Sequence, residues 1–167
     1  MDHKEYLIEK VNSKNYKIYV DLDGVLVNFK TALENIGISI KELEDNPKAV
    51  WPRVIKAGEN FWSHAPWMKD GKELWNYVKK YDPDILSSPL NTNASKNGKR
   101  IWVKNEISPN VKVILCKKSE KQDHADEHSI LIDDFERNIE QWRSKGGIGI
   151  LHKNTKSTIA ELKKLGL

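Results

Sequence analysis

The chain has 167 residues, of which 38% are hydrophobic and 31% are charged, and its formal net charge is +4. This length suits one domain with its own core, and the composition excludes an intrinsically disordered chain. No apolar run approaches the roughly 20 residues of a membrane span, and the first 15 residues lack the apolar segment of a secretory signal. The single cysteine, Cys116, excludes an intrachain disulfide and a cysteine-based zinc site, so we expect a reducing, cytoplasmic setting.

Five short apolar runs predict β-strands, and most of the segments between them have helical periodicity. Strands are expected at 16–20, 84–86, 111–116, 129–132 and 148–151, and helices over 69–81, 94–107, 136–145 and 155–165. Asp70, followed by Glu73, has the spacing of an N-terminal cap for the first of these helices. Continuous apolar strands alternating with helices are typical of a parallel sheet that is covered on both faces. We therefore predict an α/β fold with a Rossmann-like core, a parallel sheet flanked by helices.

The alternation is interrupted between 29 and 68, where no strong strand signal is present. Proline and glycine divide this segment into short helical pieces, at Pro47, Pro52, Gly58 and Pro66. An insertion after the first strand, folded as a small helical cap, explains this pattern best. The predicted domains are thus a core of 1–28 and 69–167 and a cap of 29–68. Because ligands of open α/β sheets bind at the carboxyl ends of the strands, such a cap would cover the site.

Acidic residues follow two of the predicted strands. Asp21 and Asp23 follow the first, and Asp133 and Asp134 follow the fourth. Carboxylates at positions i and i+2 of a continuing strand point to the same side, so the first pair would converge on one pocket. Buried unpaired carboxylates are unfavourable, and clustered carboxylate oxygens suit Mg²⁺. An EF-hand calcium loop is excluded because its twelfth position would be Ala32 rather than glutamate.

These segments resemble the motifs of the haloacid dehalogenase (HAD) superfamily of phosphohydrolases. The first motif is Asp21-x-Asp23-Gly24-Val25, the second is Ile85-Leu86-Ser87 and the fourth is Leu131-Ile132-Asp133-Asp134. For the lysine of the third motif, Lys99 is the preferred candidate and Lys121 is its rival.

Within the superfamily, the chain is most similar to the 5'(3')-deoxyribonucleotidases. The similar segments are Asp21 to Phe29, Phe61-Trp62 followed by Pro66, the tandem Ser87-Ser88-Pro89, and Lys99 with Trp102-Val103. The segment predicted as the cap is shorter than is usual for these enzymes.

The resemblance implies hydrolysis through an aspartyl-phosphate. Asp21 would be the nucleophile, and Asp23 would be the general acid and then the general base. The phosphate would be bound by Ser87, Ser88 and Lys99. The Mg²⁺ cofactor would be bound by Asp21, Asp23, Asp133 and Asp134, and the sequence leaves open which of the last two coordinates it directly. In the family, the backbone carbonyl of the residue at Asp23 is also a metal ligand.

The aromatic residues of the predicted cap have two interpretations. Most are explained by packing of the cap, and the alternative is a wall on which a nucleobase stacks. By resemblance, the candidates for base binding are Phe29, Phe61 and Trp62.

The predicted function is a Mg²⁺-dependent phosphomonoesterase acting on 5'- or 3'-(deoxy)ribonucleoside monophosphates. One alternative is a HAD phosphatase for a phosphosugar, another metabolite or a polynucleotide 3'-phosphate. The other is a non-catalytic domain that binds nucleotides or nucleic acid. The expected partner is a small-molecule phosphomonoester, by resemblance a deoxyribonucleotide. No membrane contact and no stable nucleic-acid complex is expected, and a homodimer stays an open alternative.

Overall fold

A five-stranded parallel sheet forms the centre of the computed structural model, which describes residues 15–167. The strands are β1 (Lys17–Val20), β2 (Asp84–Ser87), β3 (Val113–Leu115), β4 (Ser129–Asp133) and β5 (Ile148–Leu151). Their order is β3-β2-β1-β4-β5. The strands β2 and β3 are added on one side of β1, and β4 and β5 on the other, so the strand order reverses between the neighbours β1 and β4. Ligands of such sheets bind at this reversal. The predicted α/β fold with a parallel sheet is confirmed.

Eight α-helices accompany the sheet in the described part of the chain. They are α1 (Phe29–Asn35), α2 (Ile40–Asp45), α3 (Pro47–Ala57), α4 (Glu59–Ser63), α5 (Gly71–Val78), α6 (Asn93–Glu106), α7 (Glu136–Ser144) and α8 (Thr155–Lys164). Two 3₁₀ helices cover Lys79–Tyr81 and Lys118–His124. Within residues 15–167, no helix has the length and apolar character needed to cross a lipid bilayer.

Alternate residues of the strands pack against different layers. Ile18, Val20 and Ile130 face the layer of α5, α6 and α8, in one cluster with Leu74, Trp102 and Leu162. Leu131 and Tyr19 face the other layer, where they pack with Ile139 and Trp142 of α7. Tyr19 also lies against His124, so the 3₁₀ helix Lys118–His124 belongs to this second layer.

Helices α1 to α4 fill the segment in which the sequence predicts a helical insertion. Their apolar side chains form a cluster separate from those on the sheet, with Ala32, Leu33, Ile38, Val50, Val54, Phe61 and Trp62 at its centre. Side chains of Asn28, Ser39 and Asn46 accept hydrogen bonds at the starts of α1, α2 and α3. These caps explain how such short helices begin where they do. We call 29–63 the cap.

A close backbone contact joins the cap to the core. Gly98 of α6 lies so near α4 that a Cβ atom added to it would be 2.5 Å from Cβ of Trp62 and 2.7 Å from the carbonyl oxygen of Glu59. Nearby, the indole of Trp102 donates a 2.8 Å hydrogen bond to the carbonyl of Ala65. A larger residue at position 98 would push α4 away from α6.

The prediction that the Asp70 side chain caps the start of helix α5 is wrong. Asp70 precedes α5, but its side chain makes no hydrogen bond to that helix. Its carboxylate accepts a 2.7 Å hydrogen bond from the amide of Thr155 instead. The local spacing was right for a cap, but a tertiary contact satisfies an unpaired amide at the start of α8.

We expect Gly98→Ala to lower the free energy of unfolding by about 1–3 kcal/mol, the range for overpacked sites. The overlap with Trp62 and Glu59 would outweigh the advantage of alanine in a helix, which is at most about 1 kcal/mol. Urea denaturation measures the change. The control is Asn97→Ala, an exposed position on the same helix, which should stay within about 0.5 kcal/mol of the parent. Equal stability of Gly98→Ala and the parent would contradict the close contact.

Candidate active site

The chain turns sharply after β1 and directs Asp21 to the carboxyl edge of the sheet. The amide of Asp21 donates to the carbonyl of Ile132 in β4, so the two strand ends are in register. The carbonyl oxygen of Leu22 then accepts hydrogen bonds from the amides of three residues, which closes a compact turn. These residues are Val25, Leu26 and Val27. This turn holds Asp21 beside the end of β4.

Gly24 lets the turn approach the acidic pair after β4. Its φ angle is +80°, a conformation that other residues rarely adopt. A Cβ atom at this position would be 1.9 Å from Oδ2 of Asp134. Two features therefore require glycine at this position: the positive φ angle of the backbone and the closeness of the Asp134 carboxylate.

Three carboxylates gather at this edge. Asp21, Asp133 and Asp134 each offer an oxygen, and these oxygens lie within 4.8 Å of one another. Asp21 and Asp133 are buried, whereas Asp134 is exposed. Such a group of carboxylate oxygens suits a hard divalent cation.

Lys121 joins the two buried carboxylates. Its Nζ lies 2.7 Å from Oδ2 of Asp133 and 3.1 Å from Oδ1 of Asp21, and its side chain is 3% exposed. Burial lowers the pKa of Lys121, but the two carboxylates raise it more, so the net shift is upward and the lysine stays charged. Three carboxylates and one ammonium leave a formal charge of −2 when all are ionised, which one divalent cation would balance.

The pKa values of the carboxylates reflect this excess of negative charge. Burial is the main cause that raises the pKa of Asp21 to about 7, and Asp133 and Asp23 add to it while Lys121 opposes it. Although Asp134 is exposed as a residue, the protein atoms packed around its carboxyl group, followed by the charge of Asp133, raise its pKa to about 6. A bound cation would favour the ionised form of both groups.

Asp133 already has protein donors on both of its oxygens. Oδ2 accepts hydrogen bonds from Lys121 and, at 2.9 Å, from the side-chain amide of Asn138. Oδ1 accepts a 2.9 Å hydrogen bond from the amide of Phe135. Asp134 has the more accessible side chain, so of the two it is better suited to direct contact with a cation.

Asp23 belongs to a different ion pair. Its Oδ2 lies 2.5 Å from Nζ of Lys99, and the Asp23 side chain is 32% exposed. Lys99 is buried, and its ammonium lies 5.1 Å from the centre of the Trp62 ring. The two candidate lysines therefore have separate partners: Lys99 contacts Asp23, and Lys121 contacts Asp21.

Two hydroxyl groups at the end of β2 lack partners. The Oγ atoms of Ser87 and Ser88 are buried and have no hydrogen-bond partner within the described residues 15–167. An unsatisfied buried hydroxyl is unfavourable, and such groups require an explanation. Because β2 pairs with β1, the two hydroxyls belong to the strand end next to the one that leads to Asp21.

The three aromatic candidates pack against one another in the cap. Ring centres of Phe61 and Trp62 are 4.7 Å apart, and Phe29 stacks on Trp62 at 6.1 Å. A cavity between these rings and the pair Asp23 and Lys99 has a volume of about 10 Å³. This is space for about one water molecule, so a nucleobase does not fit into this cavity in the present arrangement.

The structure thus places the predicted residues in three neighbouring groups. The acidic residues Asp21, Asp133 and Asp134 come together, Asp23 pairs with Lys99, and the serines lie after the adjacent strand. From the sequence, Lys121 is only the rival of Lys99, and the structure places it in the 3₁₀ helix Lys118–His124. Its one signal was a position just before the fourth strand.

No protein-family model and no curated protein matches the chain. Solved structures do match its fold. A HAD-superfamily hydrolase from Ehrlichia chaffeensis gives a TM-score of 0.53 at 12% identity, covering 90% of this chain and 97% of that one. A hydrolase from Streptococcus pneumoniae TIGR4 gives 0.52 at 17% identity, covering 89% and 99%. A hydrolase from Pseudomonas syringae gives 0.51 at 14% identity, covering 90% of each.

The chain shares its α/β fold with these three hydrolases. At these identities the likeness concerns the fold alone. The chemistry is inferred from the residues of the site, above all from the three carboxylates and Lys121.

We expect Lys121→Met to lower the free energy of unfolding, measured in a chelator, by about 3–5 kcal/mol, because it leaves two buried carboxylates without a cation. Lys99→Met is the matched comparison. It should cost less, since the partner of Lys99 is a carboxylate that is partly exposed to water. Urea denaturation of both variants measures the difference. Equal losses would contradict the central position of Lys121.

Proposed function

We propose that the chain is a Mg²⁺-dependent phosphomonoesterase that hydrolyses 5'- or 3'-(deoxy)ribonucleoside monophosphates through an aspartyl-phosphate. The observation that carries this proposal is the position of Asp21, paired with Lys121 and next to the strand that ends in two unpartnered hydroxyls. The fold shared with hydrolases supports it at a coarse level.

Asp21 acts as the nucleophile in this proposal. One of its carboxylate oxygens bonds to phosphorus as the bond from phosphorus to the leaving oxygen breaks. Ser87, Ser88 and Lys121 would donate hydrogen bonds to the other phosphoryl oxygens, which neutralises charge that accumulates there. Lys121 also orients the carboxylate that attacks.

Asp23 transfers protons in both steps of this proposal. At the start of the proposed cycle Oδ1 of Asp23 carries a proton while Oδ2 accepts from Lys99, and this proton goes to the leaving alkoxide in the first step. In the second step Asp23 takes a proton from water, whose oxygen bonds to phosphorus while the bond to Asp21 breaks. The products are inorganic phosphate and free Asp21, and Asp23 has regained its proton. Lys99, predicted to bind phosphate, is suited to orient Asp23 because it donates directly to that carboxylate.

A magnesium ion fits the donor set. Asp21 and Asp134 would hold it, together with the backbone carbonyl of Asp23, to which no backbone amide within residues 15–167 donates. When bound, the ion would supply positive charge that offsets repulsion between Asp21 and the phosphate. The Asp133 side chain, also predicted as a ligand, accepts hydrogen bonds on both oxygens, and that of Asp23 pairs with Lys99 outside the group of three carboxylates, which favours supporting roles for both.

The nucleotide preference rests on the resemblance to the 5'(3')-deoxyribonucleotidases. Base binding by Phe29, Phe61 and Trp62 stays a prediction. It requires the cap to open, because the rings lie against one another and leave space for about one water molecule.

We expect saturating Mg²⁺ to raise the melting temperature by about 5–10 °C at a concentration of 100 times Kd, because it binds only the folded chain. Asp134→Asn should abolish most of this increase by removing a charged ligand. Glu136→Gln, an exposed acidic residue two positions further on, is the control and should retain it. Differential scanning calorimetry gives the shift. The same increase in parent and Asp134→Asn would argue against the assigned ligand.

We expect the parent protein to release phosphate from p-nitrophenyl phosphate, dTMP and dUMP when Mg²⁺ is present, and Asp21→Asn to lose about 10³-fold or more of kcat. Asp123→Asn, an exposed residue of the 3₁₀ helix, should behave like the parent. Activity that survives Asp21→Asn would exclude Asp21 as nucleophile. If sugar phosphates are hydrolysed as fast as dTMP and dUMP, the nucleotide preference is wrong.

A further inference from the structure

The cap contains a second cavity next to the small one beside Asp23 and Lys99. Residues of α1, α3 and α4 and of the segment that follows α4 line it, and its volume is about 230 Å³. The small cavity has a volume of about 10 Å³. We call the small cavity the inner cavity and the larger one the outer cavity. Since about 10–15 Å³ holds one water molecule, the outer cavity has room for a group of several atoms.

Phe61 lies between the two cavities. Its side chain, together with Ala32 and Ala65, lines both of them. Because the two alanines are small, the ring of Phe61 is the main barrier from one cavity to the other. Its centre lies 4.7 Å from that of Trp62 and 5.9 Å from that of Phe29. A movement of this one aromatic side chain would join the inner and outer cavities into a single cleft.

This cleft would begin where the leaving group of the substrate is released. In the proposed function, Asp23 gives its proton to the leaving oxygen, and a nucleoside is bonded to that oxygen. The nucleoside therefore has to extend from Asp23, and the inner cavity is a space that adjoins this residue. Since the inner cavity holds only about one water molecule, the outer cavity is the neighbouring space that can hold a base.

Polar side chains are placed in the outer cavity. They are Asn35 at the end of α1, Asn60 in α4 and His64 directly after α4. The side chains of Asn28 and Asn46 cap helices, whereas Asn35 and Asn60 are exposed and line the cavity instead. A side-chain amide offers two N–H donors and one carbonyl acceptor, which can pair with the donors and acceptors at the edge of a base.

We propose that the outer cavity binds the nucleobase of the substrate, with Phe61 moved aside as one wall and Asn35 and Asn60 hydrogen-bonded to the edge of the base. The proposal rests on the proposed function for its choice of a nucleotide. Proteins recognise single unstacked bases by aromatic side chains at the face and polar side chains at the edge. The aromatic residues of the cap thus keep a part in base binding, and the two asparagines are added as specificity-determining residues.

The test compares two ligands that differ only in the base. dTMP and 2-deoxyribose 5-phosphate are titrated into the protein in a calorimeter, with a chelator present so that binding is measured without turnover. The parent should bind dTMP more tightly. The double variant Asn35→Ala/Asn60→Ala should weaken dTMP binding by about tenfold, as expected for the loss of two hydrogen bonds, and leave 2-deoxyribose 5-phosphate unchanged. Asn105→Ala, an exposed asparagine near the end of α6, is the control and should bind both ligands like the parent.

A variant that fills the outer cavity tests its position without changing the asparagines. Ala57, the last residue of α3, lines the outer cavity and not the inner one. Ala57→Leu puts a larger side chain into this space, so it should also weaken dTMP binding and leave 2-deoxyribose 5-phosphate unchanged. Ala160→Leu, at an exposed position of α8, is the matched control and should bind both ligands like the parent.

Three results would overturn the base site. The first is equal affinity of the parent for the two ligands. The second is a dTMP affinity that stays at the parent value in the double asparagine variant or in Ala57→Leu. The third is an equal loss of both ligands in these variants, which would show a general effect on the cap rather than contact with the base.

A separate assay with Mg²⁺ distinguishes failure of the base site from failure of the proposed function. Absence of phosphate release with intact selective binding of dTMP would reject the enzyme and keep the base site. Phosphate release from dTMP with the same KM in the parent and in the double asparagine variant would reject the base site and keep the enzyme.

Discussion

A buried ammonium between two buried carboxylates is the interaction on which this site depends. Parallel pairing of β1 with β4 brings Asp21 and Asp133 to adjacent strand ends, where their like charges would repel each other. Lys121 reaches both from the segment after β3 and compensates part of that charge. Because three carboxylates share one lysine, the arrangement is completed only by a further positive charge. The same electrostatic excess that makes the site unfavourable on its own makes it suitable for a divalent cation and a phosphate.

Close backbone contacts hold the charged groups in place. Gly24 allows Asp134 to lie against the turn that follows β1, and Gly98 allows the cap to lie against α6. In both places a methyl group would separate elements that bear functional side chains. The cap contact also brings the ring of Trp62 near Lys99, whose side chain is buried. Geometry at the site is thus set by packing several residues away from the chemistry.

Local patterns in the sequence were sufficient for the strands and for the acidic pairs that end two of them. Apolar runs such as 129–132 are buried wherever the sheet is assembled, and the residues that follow them must lie at its edge. The lysines were harder, since Lys99 and Lys121 are each surrounded by polar residues, and which carboxylate each reaches depends on how α6 and a 3₁₀ helix sit against the sheet. The prediction that Asp70 caps α5 failed for the same reason. The amide that its carboxylate accepts from belongs to Thr155, which lies 85 residues away in the chain, so no local pattern indicates this contact.

The aromatic residues of the cap can either pack against one another or stack on a base, and the same rings cannot do both at once. Phe29, Phe61 and Trp62 are the main large side chains of a small helical cluster, and removing their mutual contacts would take away much of what stabilises it. A base that stacked among them would have to replace those contacts one by one. Binding of a base by these three residues would therefore require the cap to rearrange.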